Sequence, residues 1–414
     1  GQRVYAVNLE SGVPLPGWAL THGGGGDRIG QYTAPSVSTG PTANPYGTNF
    51  AQPSPQWTVT VTDTSVLAVM GRPTLRAYYG GSVVPRSATR LVCLERETGH
   101  ERWAVRPDEL SAAKDAKDSP LASKSLEFSG SPLVVGDNVF VIARGGTQMQ
   151  VEDCVLVCLG AEKGELRWLS YVASANTTRS PYYYQPTNAT DSLSHLAYAG
   201  GRVYVLTNLG VVGAIDAFTG GVAWLALYPR LDLPDARMAA VASRARDARP
   251  RTPWMANALI VQEGKVFALP SDGTHLCVYD AATGDEVNRL RLAHLQARES
   301  QPPQVLLNVS GDELIVASAN PAAGNTAPSD VLTCVNWRVY NERDAEKKKE
   351  EMDRLMIRWH TNAFAPIQGR PFVTSDLIYV PTKSALWAVN PRNGKVVKEF
   401  LAEVSAWKEG GWGN

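Results

Sequence analysis

Apolar residues along this chain come in short runs of four to six, cut by Gly, Asp, Asn and Thr. Such runs, rich in Val, Ile, Leu, Tyr and Phe, predict strands rather than helices. The clearest case spans Val212 to Trp224. Val212, Ala214 and Ile215 lead into Asp216, Thr219–Gly220 closes a turn, and Trp224 stands four residues beyond the glycine. The Asp216 carboxylate is placed to accept from the backbone just ahead, and Gly220 is free to take a positive φ. The stretch therefore reads as strand, tight turn, strand.

The pattern recurs along the chain. Val4–Asn8 leads to Gly12 and a late Trp18; Leu91–Glu95 to Gly99 and Trp103; Leu156–Gly160 to Gly164 and Trp168; Leu276–Asp280 to Gly284, with Asn288 in the Trp place; and Leu386–Asn390 to Gly394, with Lys398 there. Val331–Asn336 opens a copy whose turn is replaced by an insertion, with Trp359 assigned to its far side. The glycines at 12, 99, 164, 220, 284 and 394 lie 87, 65, 56, 64 and 110 residues apart, the last gap holding the degenerate copy. The period of roughly 55–65 residues exceeds the usual propeller repeat, and insertions account for the excess. Ahead of most copies sits a second hairpin-like unit, as at Ser131–Ile142, Leu196–Leu206, Ala258–Ala268, Leu306–Val316 and Pro371–Val380, with a looser version at Trp57–Val69. Two hairpins per repeat make four strands per repeat. The expected fold is all-β: a β-propeller of four-stranded antiparallel blades, seven or eight in number, the first and last incomplete, with short helical insertions.

Ala214, Asp216, Thr219, Gly220 and Trp224 resemble the repeat of the pyrroloquinoline-quinone (PQQ) superfamily, Ala-x-Asp-x-x-Thr-Gly-x-x-x-Trp. The chain is similar to PQQ-like, quinoprotein-type propeller repeat proteins of bacteria, including BamB-like outer-membrane assembly proteins. The resemblance implies that Trp18, Trp103, Trp168 and Trp224 dock each blade on its neighbour, and that Asn288 and Lys398 do not fill such a pocket as an indole does. It also implies a periplasmic or envelope-associated location.

The chain has 414 residues, 40 basic and 40 acidic. This balance argues against a nucleic-acid or anionic-membrane footprint. No apolar run approaches the length of about 18 residues that spans a bilayer. Residues 1–414 read as one propeller domain, a fragment of a longer polypeptide whose targeting segments lie outside it. Cys93, Cys158 and Cys334 share the repeat position of Ala6, Ala214 and Ala388, a small buried site, so neither a disulfide nor a metal is expected from them.

Chemistry is sparse. Active quinoprotein dehydrogenases of alcohols or sugars hold PQQ and Ca²⁺, and the alcohol-oxidising members carry an adjacent Cys-Cys pair; this chain has no such pair, and no Ca²⁺ ligand set maps onto it residue by residue. The six histidines are scattered, although His275 and Cys277 share one side of a strand. Gly23–Gly26 lacks the Lys-Ser/Thr ending of a phosphate loop and reads as a flexible loop. Tyr182, Tyr183 and Tyr184, with His195 at a strand start, form a candidate binding face. Helices are expected near Asp108, over 238–246 and most strongly over 341–358, the last lying on the outer edge of its own repeat. The resulting reading is a non-catalytic propeller scaffold without cofactor, binding a protein, peptide or carbohydrate; the alternative is a PQQ/Ca²⁺ dehydrogenase.

Overall fold

The structure is a computed structural model. It describes residues 59–70, 89–111, 126–145, 151–176, 196–230, 259–295, 302–320, 329–347, 349–361, 370–382 and 385–401. It also describes isolated residues between 3 and 22, the hairpin at 78–79 and 82–83, Ala365 and Ile367. Six four-stranded antiparallel sheets form, each a meander in chain order from an inner to an outer strand. These are the blades of a β-propeller. Blade 1 runs from Val59–Val61 to Glu101–Val105, blade 2 from Leu126–Val135 to Leu166–Asn176, and blade 3 from Leu196–Ala199 to Val222–Leu227. Blade 4 runs from Ile260–Gln262 to Glu286–Arg291, blade 5 from Val305–Ser310 to Ile357–His360, and blade 6 from Phe372–Val373 to Val396–Leu401. The N-terminal copy appears as a two-stranded unit, Arg3–Val4 with Thr21–His22. All seven copies read from the sequence thus form sheet, and successive inner strands touch from blade 1 to blade 6.

One transverse row of cross-strand pairs recurs in every blade. It is Thr60–Leu67–Cys93–Trp103 in blade 1, Leu133–Phe140–Cys158–Trp168 in blade 2 and Ala197–Tyr204–Ala214–Trp224 in blade 3. Ile260–Phe267–Val278–Asn288, Asn308–Ile315–Cys334–Trp359 and Phe372–Tyr379–Ala388–Lys398 continue it in blades 4, 5 and 6. The third position is Cys, Ala or Val because it lies directly opposite a large outer-strand side chain. This is the packing reason for Cys93, Cys158 and Cys334. All five cysteines are free and buried. A register shift follows the third position in all six blades. Such a bulge turns the outer strand and strengthens its twist, aiming the fourth residue at the next blade.

That fourth residue is the blade-to-blade lock. The indole N–H of Trp18 donates to Arg96 O at 2.9 Å, Trp103 to Ala161 O at 2.9 Å, Trp224 to Ala281 O at 3.1 Å and Trp359 to Pro391 O at 2.9 Å. Each acceptor sits three residues before the turn glycine of the following blade. The glycine meets the same ring: a Cβ at Gly164, Gly220, Gly284 or Gly394 would come within 2.5–2.7 Å of Trp103, Trp168, Trp224 or Trp359 respectively. The turn glycine is therefore fixed twice, by its positive φ and by the indole lying on it. Trp168 docks through this second contact, and Trp359 takes the far-side role assigned to it.

At the next junction the motif departs as the sequence indicated, but docking persists. Asn288 Nδ2 donates to Trp337 O at 2.7 Å and to Tyr340 O at 3.3 Å. Trp337 stands where the other blades have Arg96, Ala161, Ala217, Ala281 or Pro391, and its ring meets Phe267 of blade 4 edge-on at 5.3 Å. The aromatic volume comes from the following blade instead of the preceding one. The expected helix at 341–358 forms as two pieces, Glu342–Lys347 and Lys349–Met356. It straddles the junction rather than capping its own repeat alone: Ala345, Met352 and Met356 pack with Leu290 of the blade 4 outer strand and Val335 of blade 5. The short helix near Asp108 is Pro107–Ser111. The helix expected over 238–246 and the Gly23–Gly26 loop lie outside the described residues.

Candidate functional site

The propeller has two unlike faces. One carries the turns within hairpins, such as 136–137, 161–165, 200–201, 217–221 and 281–285, all short apart from the helical insertion of blade 5. Their chemistry is local. Asp216 Oδ1 accepts from the Phe218 and Thr219 amides at 3.0 and 2.8 Å and from the Thr219 hydroxyl at 2.9 Å. Those bonds, the Thr219 amide first, hold the Asp216 carboxyl below its ordinary pKa. The other face carries the links between second and third strands, such as 207–210 and 269–274, and the ends of the outer strands, such as 228–230 and 292–295.

On this loop-bearing face a buried polar network ties three blades together. Arg144 lies one residue before the end of the second strand of blade 2 and pairs with Glu152 at 2.9 Å, their side chains 8% and 12% exposed. Burial works against the Arg144 charge, but Glu152, Cys154 and Tyr228 together outweigh it and hold the pKa above the ordinary value. Arg144 also donates to Thr207 O in blade 3. Thr207 opens a tight loop in which Asn208 takes φ 53° and its side-chain oxygen accepts from the Ser271 amide of blade 4 at 3.1 Å. Tyr228, just past the blade 3 outer strand, accepts from the Gly210 amide at 3.0 Å and donates to Asp272 at 2.7 Å. Arg230 closes the set on the second Asp272 oxygen at 2.8 Å. Burial, then the Asp272 charge, push the Tyr228 hydroxyl well above its usual pKa, so it stays a donor. Burial also lifts the Cys154 thiol to about 11 despite Arg144. Each charge here has an opposite charge beside it. The network is a clamp for loop bases.

The sequence candidates fall elsewhere. Tyr182, Tyr183, Tyr184 and His195 lie outside the described residues. His275 is buried, with Nδ1 at 2.7 Å from the Thr274 hydroxyl and Nε2 at 3.4 Å from Glu342. Burial lowers its pKa even though Glu342 opposes the shift. Burial pushes the Cys277 thiol up to about 12. Both are packing residues. Sequence reasoning missed Arg144, Glu152, Tyr228 and Asp272; the one hint was an Arg or Asp at the end of an apolar run, which many surface positions share.

A quinone held by Ca²⁺ in the axial channel needs several hard-oxygen ligands. Among the described residues the inner strands bring one carboxylate, Glu127, and no three His, Cys, Asp or Glu side chains converge. The described donor set does not fit that group.

The family model described as "Outer membrane protein assembly factor BamB" matches residues 2–224 and 152–333. No curated protein matches the chain in sequence. Among solved structures, BamB from Moraxella catarrhalis aligns over 83% of this chain and 71% of its own at 12% identity, TM-score 0.44. A europium-containing methanol dehydrogenase aligns over 83% and 68% at 12% identity, TM-score 0.47. The quinohemoprotein alcohol dehydrogenase from Comamonas testosteroni aligns over 83% and 58% at 12% identity, TM-score 0.45.

Proposed function

The chain belongs to the BamB-like family of PQQ-type propeller repeats, and on that premise we propose that it is a non-catalytic scaffold that holds a protein partner on its loop-bearing face. The observation that carries this reading is the clamp. Arg144–Glu152 and Tyr228–Asp272–Arg230 fix the bases of loops from three blades on one face. Recognition loops on a rigid frame are the usual way a propeller meets partners. An envelope location follows from the same reading, since the family's description names outer-membrane assembly.

The test is photo-crosslinking in the native host. Cross-linkers placed at the loop-bearing ends of blades 3 and 4, at the exposed Leu227 and Ala293, are expected to give one discrete protein adduct, and those on the turn-bearing face at Glu162 and Asn393 none. Equal labelling from both faces sinks the reading. A parallel melt with PQQ and Ca²⁺ separates the alternative: specific binding would stabilise by about 2.7 kcal/mol at a hundredfold excess over Kd, and the scaffold requires no shift.

A further inference from the structure

Among the described residues the turn-bearing face holds a gap between two blades. Between blades 5 and 6 lies a cleft of about 420 Å³, within the roughly 300–1,000 Å³ range of small-molecule sites. The transverse row explains it. In blades 2 and 4 the two innermost row positions are large, Leu133 with Phe140 and Ile260 with Phe267. Blade 3 pairs a small Ala197 with Tyr204, and in blade 1 the Thr60 hydroxyl is spent on Pro132 O of the next blade. Blade 5 has Asn308 and Ile315. Asn308 thus puts a side-chain amide at the innermost row position, where the other blades carry Thr, Leu, Ala, Ile or Phe.

The lining is unlike the clamp on the opposite face. Buried Val309, Ile315 and Cys334 line the depth of the cleft, with Ser310, Ser375 and Arg392 exposed around it. Glu313, the acid of the lining, is taken by Arg358 at 3.4 Å, while Cys334 Sγ lies 3.9 Å from its second oxygen. Arg392 is left as the uncompensated charge. Its guanidinium, the Asn308 amide and the two serine hydroxyls make no hydrogen bond or ion pair within the described protein. A guanidinium matches a carboxylate, hydroxyls and an amide match hydroxyls, and an apolar floor suits C–H groups.

We propose that this cleft binds a small hydroxyl-bearing carboxylate of sugar-acid size, with Arg392 on the carboxylate and Asn308, Ser310 and Ser375 on the hydroxyls. Calorimetric titration of the whole chain with glucuronate tests it, with glucose as the uncharged control. Saturable one-to-one binding of glucuronate is expected, with glucose at least about tenfold weaker. Arg392→Ala should weaken glucuronate by at least about tenfold and leave glucose unchanged, and Asn308→Ala should weaken both. Arg392 is exposed, so an unchanged melting curve of that variant separates lost binding from lost fold. Absence of saturable binding up to roughly 10 mM, equal affinity for glucose, or an unaffected Arg392→Ala variant would each overturn the proposal.

Discussion

The junction between blades 3 and 4 and the junction between blades 4 and 5 solve one problem with opposite donations of volume. In the first, Trp224 leaves blade 3, lies on Gly284 and bonds Ala281 O, with Tyr204 and Tyr279 rings at 6.0 and 6.3 Å. In the second, Asn288 makes the equivalent hydrogen bond to Trp337 O, and Trp337 returns its ring against Phe267. The junction therefore has two separable requirements: a donor for one buried carbonyl, and an aromatic to fill the space around it. A motif written as one Trp hides that these can be divided between neighbours.

The largest effect should come from the side chain that meets both requirements. Trp224→Ala removes donor and volume together and should cost about 3–5 kcal/mol in denaturant unfolding. A loss under about 1 kcal/mol would remove Trp224 from its anchoring role. At the other junction, Asn288→Leu should cost roughly 1–3 kcal/mol, since two buried carbonyls lose their donor while volume is kept. Asn288→Trp restores the motif, yet should destabilise by about 1–3 kcal/mol, because Trp337 already occupies the space; combining it with Trp337→Ala should recover part of that loss. A stabilised Asn288→Trp single variant would show that the two junctions are not alternatives. Gly284→Ala should destabilise by more than about 1 kcal/mol through its positive φ and the Trp224 contact. In the Trp224→Ala background the contact vanishes and only the φ penalty should remain, a non-additivity read by a double-mutant cycle.

The smallest effect is in acid. The folded pKa of His275 is lowered by burial from 6.5, so its neutral form is favoured in the fold. The unfolded chain binds that proton first, and stability falls as pH drops below 6.5 toward the folded value. Asp216 and Asp280 have lowered folded values, so their contributions persist above 3.8 and fade below it. His275→Gln should flatten the upper window of a stability–pH curve and leave the lower one unchanged.

Local chemistry was legible in the sequence. The strands, the Asp216–Thr219–Gly220 turn, the small third-strand residues and the helices at Pro107–Ser111, Glu342–Lys347 and Lys349–Met356 follow from residues close in the chain. The exchange between Asn288 and Trp337 was not, because each residue alone looks like a lost motif and an ordinary insertion. The clamp was hidden for the same reason. Arg144 and Thr207 are 63 residues apart and Tyr228 and Asp272 are 44 apart, and no periodicity connects them. The free polar groups of the cleft are visible only as a departure from the row, which needs the register of all six blades.

The direction of the Trp lock bears on how the chain is made. Trp224 precedes its acceptor Ala281 by 57 residues, and Trp103 precedes Ala161 by 58. During synthesis at about 5–20 residues per second, a finished blade waits roughly 3–11 s for the turn that covers its indole. Each blade thus has one apolar flank that only the next blade in the chain covers. A pause placed between Trp224 and Gly284 would prolong that exposure.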